Sequence, residues 1–468
     1  MNIKLKSFLR NFSYTIISNL FSLVISTLMT LIVPKLFGVE QYGFWQLYLF
    51  YVGFVGFFHF GWVDGIYLKY GGFKYEDLDK KLFSSQFKLM VLFQVVLGTG
   101  FGVAVLFFAP SEDKAVIMIG TIIAMILSNV RGFFLYILQS TNRIKEYSIA
   151  TIVDKIVFAL TLSVLLGCGV RNYTPMIGAD IVGRTASLFL VAYYFRDIVF
   201  QKTCSFANGI REAVNSISVG VKLTIANIAS SLIVGVVKFG IEGSWDVSTF
   251  GKVSLTLSIS NFLMLFINAV GIVVYPVLRR SDTKKLPNIY INLRNILVAV
   301  MLFILLLYFP IKPILSKWLP AYSESLKYMA LLFPMCLFEG KTSLLVNTYF
   351  NTLREEKNLL KLNLFCLLGS AILTVINTVI LHNLDLTVLS IVIILALKST
   401  VSEIFITRKM GISVSRDILI EFAMIFVFIC LGWFATPVIG FILYFCFYSF
   451  YFVNKRKDFF ETVKMLKR

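Results

Sequence analysis

Histidine is nearly missing from this sequence: its 468 residues hold two, His59 and His382, far apart along the chain. The six cysteines (Cys168, Cys204, Cys336, Cys366, Cys430, Cys446) contain no Cys-x-x-Cys pair. Zinc sites, haem sites and Cys/His nucleophile pairs need such ligands clustered, so none can be built and no cofactor is expected. Charge is scarce as well: 15% of residues are Asp, Glu, Lys or Arg, against about 25% in soluble domains. Apolar residues fill the gap, at 58% of the chain with a mean hydropathy of +0.83. This excludes a cytosolic enzyme, a disordered tail and a secreted disulfide scaffold. The sequence is that of an all-α integral membrane protein.

A membrane-spanning helix needs about 20 mostly apolar residues, and fourteen segments qualify: 12–34, 42–66, 86–108, 115–138, 149–170, 175–195, 217–239, 250–278, 291–311, 325–350, 358–380, 387–409, 418–434 and 436–453. Lys4, Lys6 and Arg10 precede an apolar run too long for a signal-peptide core, and no small-residue cleavage site follows, so the first segment is expected to stay attached. The basic residues set the orientation. Termini and loops on one side collect 27 Lys and Arg, among them Lys4–Arg10, the 67–85 loop, Arg196–Arg211, Arg279–Lys285, Arg408–Arg416 and the tail. The opposite side collects five: Lys35, Lys114, Arg171, Lys312 and Lys317. The positive-inside rule places both termini in the cytoplasm. That bias absorbs most of the net charge of +19, and nucleic acid is not expected as a partner. No outer loop exceeds about thirteen residues, which disfavours a membrane glycosyltransferase or polymerase with a folded external catalytic loop.

Sliding the chain along itself by 208 residues aligns the first two segments with the seventh and eighth. Ile17 meets Ile225, Asn19 meets Asn227, Ser22 meets Ser230 and Ile25 meets Ile233. Beyond the loop, Gly43 meets Gly251, Leu47 meets Leu255, Leu49 meets Leu257, Phe54 meets Phe262 and Phe58 meets Phe266. Six spans per half is an even number, so the halves face the same way, as in transporters built from parallel repeats about an axis along the membrane normal. Residues 1–200 are expected to form an N-terminal six-helix lobe, 201–216 a cytoplasmic connection and 217–410 a C-terminal six-helix lobe. Residues 411–453 supply two extra helices, and 454–468 a basic cytoplasmic tail suited to anionic lipid.

Charges within spans cost about 2.5–3.5 kcal/mol each and mark function by default. Lys88, Lys238, Lys252, Arg294, Lys327 and Lys361 lie near helix ends and are expected to snorkel. Four sit deep: Arg131, Arg184, Lys341 and Lys398. The repeat pairs Arg131 with Lys341 and Arg184 with Lys398, so each lobe carries two cations at similar depth. Lys155 and Lys222 lie closer to the cytoplasmic boundary and would rim the same cavity. Asp180 stands one turn from Arg184 and can pair with it. Asp154 beside Lys155, and Glu339 near Lys341, have spacings that force no contact, and Glu403 is badly placed to face Lys398. A cavity with surplus positive charge suits phosphate oxygens; a drug or cation exporter would want the opposite sign. The alternative is that these charges pair with acids of other helices and specify packing.

Several stretches resemble the Wzx-type polysaccharide repeat-unit flippases of bacteria. They are Phe37-Gly38-Val39-Glu40-Gln41-Tyr42-Gly43-Phe44-Trp45, Phe60-Gly61-Trp62-Val63-Asp64-Gly65-Ile66-Tyr67-Leu68-Lys69-Tyr70-Gly71-Gly72, Gln139–Tyr147, Gly220–Asn227 and Asn351–Lys357. The resemblance spans about residues 12–410. It implies the multidrug/oligosaccharidyl-lipid/polysaccharide (MOP) exporter superfamily, with two six-helix lobes in a V shape that alternate between inward- and outward-open states. The implied substrate is an undecaprenyl-pyrophosphate-linked oligosaccharide, bound by cavity cations (here Arg131, Arg184, Lys341, Lys398, Lys155 and Lys222) and flipped across the bacterial cytoplasmic membrane. Asp154, Asp180, Glu339 and Glu403 are the candidate carriers of a coupling ion. Expected partners are membrane lipids, a polysaccharide polymerase and a chain-length regulator. Fourteen spans rather than twelve is also a feature of the related lipid II flippases, whose extra pair helps form a groove for the lipid tail. A lipid II flippase and a multidrug antiporter on the same scaffold are the rival readings.

Overall fold

The computed structural model describes residues 3–262, 264 and 286–466. The basic loop Arg279–Lys285, much of the expected eighth span (250–278) and the repeat position Phe266 lie outside the described residues. Among the described residues all regular structure is helical. Twelve helices there are long and apolar enough to cross a membrane, or thirteen spans with the bent pair Val39–His59 and Trp62–Tyr70 counted as one. These correspond to thirteen of the fourteen expected segments, and the start of the eighth is helical. The chain is a multi-pass membrane protein. The last two segments, separated by a single residue in sequence, are distinct helices that pack on each other, ending at Phe434 and restarting at Pro437.

The chain divides into two compact units, Met1–Ile228 and Ala229–Arg468. The first holds α1 (Ile3–Leu36), α2 (Val39–Val52), α3 (Trp62–Tyr70), α4 (Lys80–Phe108), α5 (Glu112–Ser140), α6 (Ile144–Gly167), α7 (Tyr173–Tyr194) and the first part of α8 (Phe206–Ser244). The division falls inside α8, farther along the chain than the connection expected at 201–216. Three helix starts carry side-chain caps: Asp79 accepts from the N–H of Lys81 and Leu82, Ser111 from Lys114 and Asn172 from Thr174. Such caps satisfy first-turn donors that the helix itself leaves open.

Helix α5 is the hub of this unit, packing against α2, α3, α4, α6 and α7. The second span is not a continuous helix. It bends by 59° between His59 and Trp62, where Phe60 (φ +53°) and Gly61 (φ +86°) adopt left-handed conformations. A bend within lipid strands carbonyls that must find other donors. Asn129 Nδ2 of α5 donates to Val55 O and to Gln94 Oε1, both at 3.0 Å, and Gln94 Nε2 of α4 donates to Phe58 O at 3.0 Å. The Gly61 N–H donates to His59 Nδ1 at 3.0 Å.

Beyond the bend, α3 meets the first part of α8 along a seam of small residues. A Cβ on Gly65 would stand 1.8 Å from Ser216 O, and one on Gly220 would stand 2.0 Å from Gly61 O. Gly61-x-x-x-Gly65 thus faces Ser216-x-x-x-Gly220, the small-residue spacing that lets membrane helices touch backbone to backbone. Polar pairs flank the seam: Thr224 Oγ1 donates to Asp64 Oδ2 at 2.5 Å, Lys69 Nζ to Glu212 Oε1 at 2.5 Å, and Tyr70 Oη to the same oxygen at 3.0 Å.

The second unit holds the rest of α8, α9 (Val247–Asn261), α10 (Leu286–Ile304), α11 (Tyr308–Trp318), α12 (Met329–Lys341), α13 (Glu356–Val375), α14 (Leu384–Lys409), α15 (Ser415–Phe434) and α16 (Pro437–Leu466). Asp246 caps α9 through the Thr249 N–H, and Asn383 caps α14 through that of Leu386. Helix α12 is the hub here, touching α9, α10, α11, α14 and α15. The span containing it, Ser325–Phe350, is buried over 89% of its most apolar stretch, against 56% for the span of α14. The ends of α1 and α8, and the starts of α2 and α9, stand at positions separated by the same 208 residues as the sequence repeat.

Candidate functional site

Each hub helix carries deep charges. In the first unit, α5 supplies Arg131 and Ser128, α6 supplies Asp154 and Lys155, α7 supplies Asp180 and Arg184, and α2 supplies Tyr48. Arg131 Nη1 donates to Asp154 Oδ2 at 2.6 Å. Arg184 Nε donates to Asp180 Oδ2 at 2.6 Å, Nη2 to Asp180 Oδ1 at 3.4 Å, and Nη1 to Ser128 Oγ at 2.6 Å. Tyr48 Oη also donates to Asp180 Oδ2, at 2.6 Å. Lys155 is half-buried, and both it and Arg184 act electrostatically on Asp154. The cluster therefore holds three cations against two carboxylates. The side chains of Arg131 and Arg184 are 14% and 12% exposed, so this surplus charge is nearly, but not wholly, shut in. Lys222 is exposed on α8, and no bond joins it to this cluster.

The second unit arranges its charges differently. Lys341, at the end of α12, is fully buried, with Nζ 2.6 Å from Glu421 Oε1 of α15 and 2.8 Å from Glu403 Oε2 of α14. Arg294 of α10 completes a ring: Nε donates to Glu403 Oε1 at 2.6 Å and Nη2 to Glu421 Oε2 at 2.9 Å. Tyr290 Oη donates to Glu403 Oε1 at 3.2 Å. Two guanidinium or ammonium groups and two carboxylates make a neutral tetrad that joins four helices. A π-helical turn, Thr342–Val346, follows Lys341 directly.

One expectation, the snorkelling of Arg294, is corrected by the tetrad. Arg294 does not snorkel: its side chain is 3% exposed and held by two carboxylates. Glu403, badly spaced for Lys398, faces Lys341 and Arg294 instead. Lys341 pairs with Glu403 and Glu421, and its sequence neighbour Glu339 is not among its ion pairs. Glu339 acts electrostatically on Lys398, whose Nζ donates to Ser230 Oγ of α8 at 2.9 Å. Among the described residues no carboxylate comes within ion-pair distance of Lys398.

The spacing of Asp180 and Arg184 announces their pair in the sequence. No spacing in the sequence marks Tyr48, Ser128, Ser230 or Arg294 as members of these clusters. Glu421 has one signal of its own, as a lone acid inside the apolar segment 418–434, which is costly unless paired.

No protein-family model matches the sequence, and no curated protein matches it. Solved structures do. One is an inward-facing multidrug resistance transporter of the MATE family in the MOP superfamily, with TM-score 0.65 and 12% identity, covering 84% of this chain and 94% of that one. Another is the lipid II flippase MurJ in an inward closed conformation, with TM-score 0.65 and 16% identity, covering 95% of this chain and 99% of MurJ. The fold is that of MOP-superfamily transporters. A MOP superfamily transporter from Pyrococcus furiosus, described by the reverse polarity of its binding pocket, is similar at TM-score 0.50 and 11% identity, over 86% of this chain and 93% of that one.

Proposed function

We propose that this protein is a flippase that carries an undecaprenyl-pyrophosphate-linked oligosaccharide repeat unit from the cytoplasmic to the outer leaflet of the bacterial cytoplasmic membrane. It would do so by alternating access, supplying O-antigen, capsule or another surface glycan, with both termini in the cytoplasm and 1–200 and 217–410 as its working lobes. The observation that carries this reading is the excess cation among Arg131, Arg184 and Lys155. A site with surplus positive charge favours a pyrophosphate and opposes a cationic drug. Lys398, hydrogen-bonded to a neutral hydroxyl, adds an ammonium with reserve capacity in the second unit. Release follows when the outward state binds the headgroup more weakly, since a ligand moves an equilibrium only by its differential affinity. Asp154, Asp180 and Glu339 are the candidate ion carriers. Glu403 is the poorest of the original four, because two cations already clamp it.

The second reading is a lipid II flippase. Its support is the extent of the MurJ likeness, which takes in more of this chain than the MATE likeness does. Both substrates share the pyrophosphate. The test is deletion of the gene, followed by lipid extraction and surface-glycan analysis. Viable cells that lose the glycan and accumulate the complete lipid-linked repeat unit are expected. Lethality with arrested cell-wall synthesis would favour lipid II, and an unchanged glycan would remove the proposal. Downstream partners, a polysaccharide polymerase and a chain-length regulator, would be expected in the first case.

A further inference from the structure

The two arginines of the first unit are used very differently by their neighbours. Arg184 is the more fully engaged: each of its three nitrogens makes a hydrogen bond, two to Asp180 and one to Ser128, and Tyr48 holds Asp180 from the other side. Arg131 makes one hydrogen bond, through Nη1 to Asp154, while its Nε is buried with no hydrogen-bond partner among the described residues. A buried donor left open costs free energy unless a ligand or water fills it. The carboxylate that holds Arg131 is also the one with a spare cation beside it, Lys155. Asp154 can therefore give up Arg131 without standing alone.

Resting on the flippase reading, we infer that Arg131 is the residue that grips the phosphate, exchanging Asp154 for phosphate oxygens, while Arg184 is a fixed positioning residue. A guanidinium matches phosphate geometry with two parallel N–H donors, and Arg131 has the open Nε needed for that fork once Asp154 turns away. Arg184 has every nitrogen, Nε included, already engaged. It contributes a permanent positive field and ties α5 to α7. The carboxylate of Asp154 thus acts as a built-in competitor: it keeps the empty site satisfied and is displaced by a dianionic headgroup. A monoanionic phospholipid, with less charge to offer, displaces it less readily, so the arrangement discriminates pyrophosphate-bearing lipids from the surrounding bilayer.

The test uses the full-length protein in phosphatidylcholine nanodiscs, titrated separately with undecaprenyl pyrophosphate and with inorganic pyrophosphate. Three variants are compared with wild type, with melting temperature recorded alongside. Asp154→Asn removes the competitor and is expected to tighten binding of both probes by about tenfold, the worth of one charge-assisted hydrogen bond. Arg131→Lys keeps the charge and loses the fork, and is expected to weaken binding by about tenfold with little change in melting temperature. Arg184→Lys is expected to lower the melting temperature by several degrees and to weaken binding less than Arg131→Lys does. If Asp154→Asn folds poorly, the contrast between the two lysine variants still decides. If wild type binds the lipid probe but Asp154→Asn does not tighten it, or if the lysine variants behave alike, the role assignment is wrong and the flippase reading survives. If the lipid probe does not bind while Asp154→Asn tightens inorganic pyrophosphate, the anion site stands and the lipid substrate falls. If neither probe binds wild type or any variant, both are overturned.

Discussion

Replacing Glu421 by Gln should damage the second unit more than any single substitution on its surface. Glu421 accepts from Lys341 at 2.6 Å and from Arg294 at 2.9 Å, and all four members of the tetrad have side chains at most 3% exposed. Glutamine has nearly the same size, so packing is preserved, but it can accept from only one of the two cations and turns an N–H donor toward the other. The variant leaves two cations on one carboxylate, a net +1 shut inside a helix bundle in lipid. Removing one partner of a buried ion pair costs about 3–5 kcal/mol, and the insertion scale gives a similar figure, about 2.5–3.5 kcal/mol, for an unpaired cation at mid-membrane. A loss of that size should lower the melting temperature on the order of 10 °C, read from intrinsic fluorescence in detergent, and reduce the steady-state level in the membrane. Neutrality can be restored: Lys341→Met combined with Glu421→Gln leaves only the Arg294–Glu403 pair, and the double variant should melt above Glu421→Gln alone. The reasoning is refuted if Glu421→Gln melts within about 2 °C of wild type, or if the double variant is no better than the single one.

Truncation after residue 410 removes α15 with Glu421, so it should unfold the whole second unit rather than trim it; protease resistance of the Leu286–Lys409 helices is the measurement. Gly65→Leu places a branched side chain where even a Cβ would lie 1.8 Å from Ser216 O, and overpacking of this kind costs about 1–3 kcal/mol or more; a lowered melting temperature with normal membrane insertion is expected. Burial favours the neutral form of Asp197, but hydrogen bonds from Lys80 and Tyr75 outweigh it and hold this loop carboxyl below its ordinary range. A depressed carboxyl contributes stability above its ordinary pKa of about 3.9 and loses it as pH falls through the folded value. The melting-temperature gap between wild type and Asp197→Asn should therefore be present at neutral pH and vanish in strong acid. A gap that persists in acid would mean packing, not charge, is responsible.

Hydropathy alone located the spans, because a bilayer imposes length and composition on every crossing helix. It did not reveal the bend of the second span. Phe60-Gly61 sits inside a segment long and apolar enough to pass for one continuous helix, and the compensation for the bend comes from Asn129 and Gln94, distant residues whose facing no local pattern encodes. The same limit explains the charges. Asp180 and Arg184 pair along one helix, so their partnership is written in a spacing of four. Arg131–Asp154 and the tetrad are joined between helices, over 23 residues in the first case and up to 127 in the second. Being near the end of a span says nothing about which way a side chain turns, which is why Arg294 reads as a snorkelling residue and is in fact enclosed.

The seam between α3 and α8 has a consequence for biosynthesis. Glu212, Ser216, Gly220 and Thr224, the partners of Lys69, Gly65, Gly61 and Asp64, all belong to α8, not to the six spans that precede it. When the sixth span (α7) has left the ribosome, the second span still has an uncovered stripe of bare backbone and a carboxylate awaiting its hydroxyl. The first half of this protein is therefore finished by the opening stretch of the helix that begins the second, and the insertion machinery must shelter that stripe until α8 arrives.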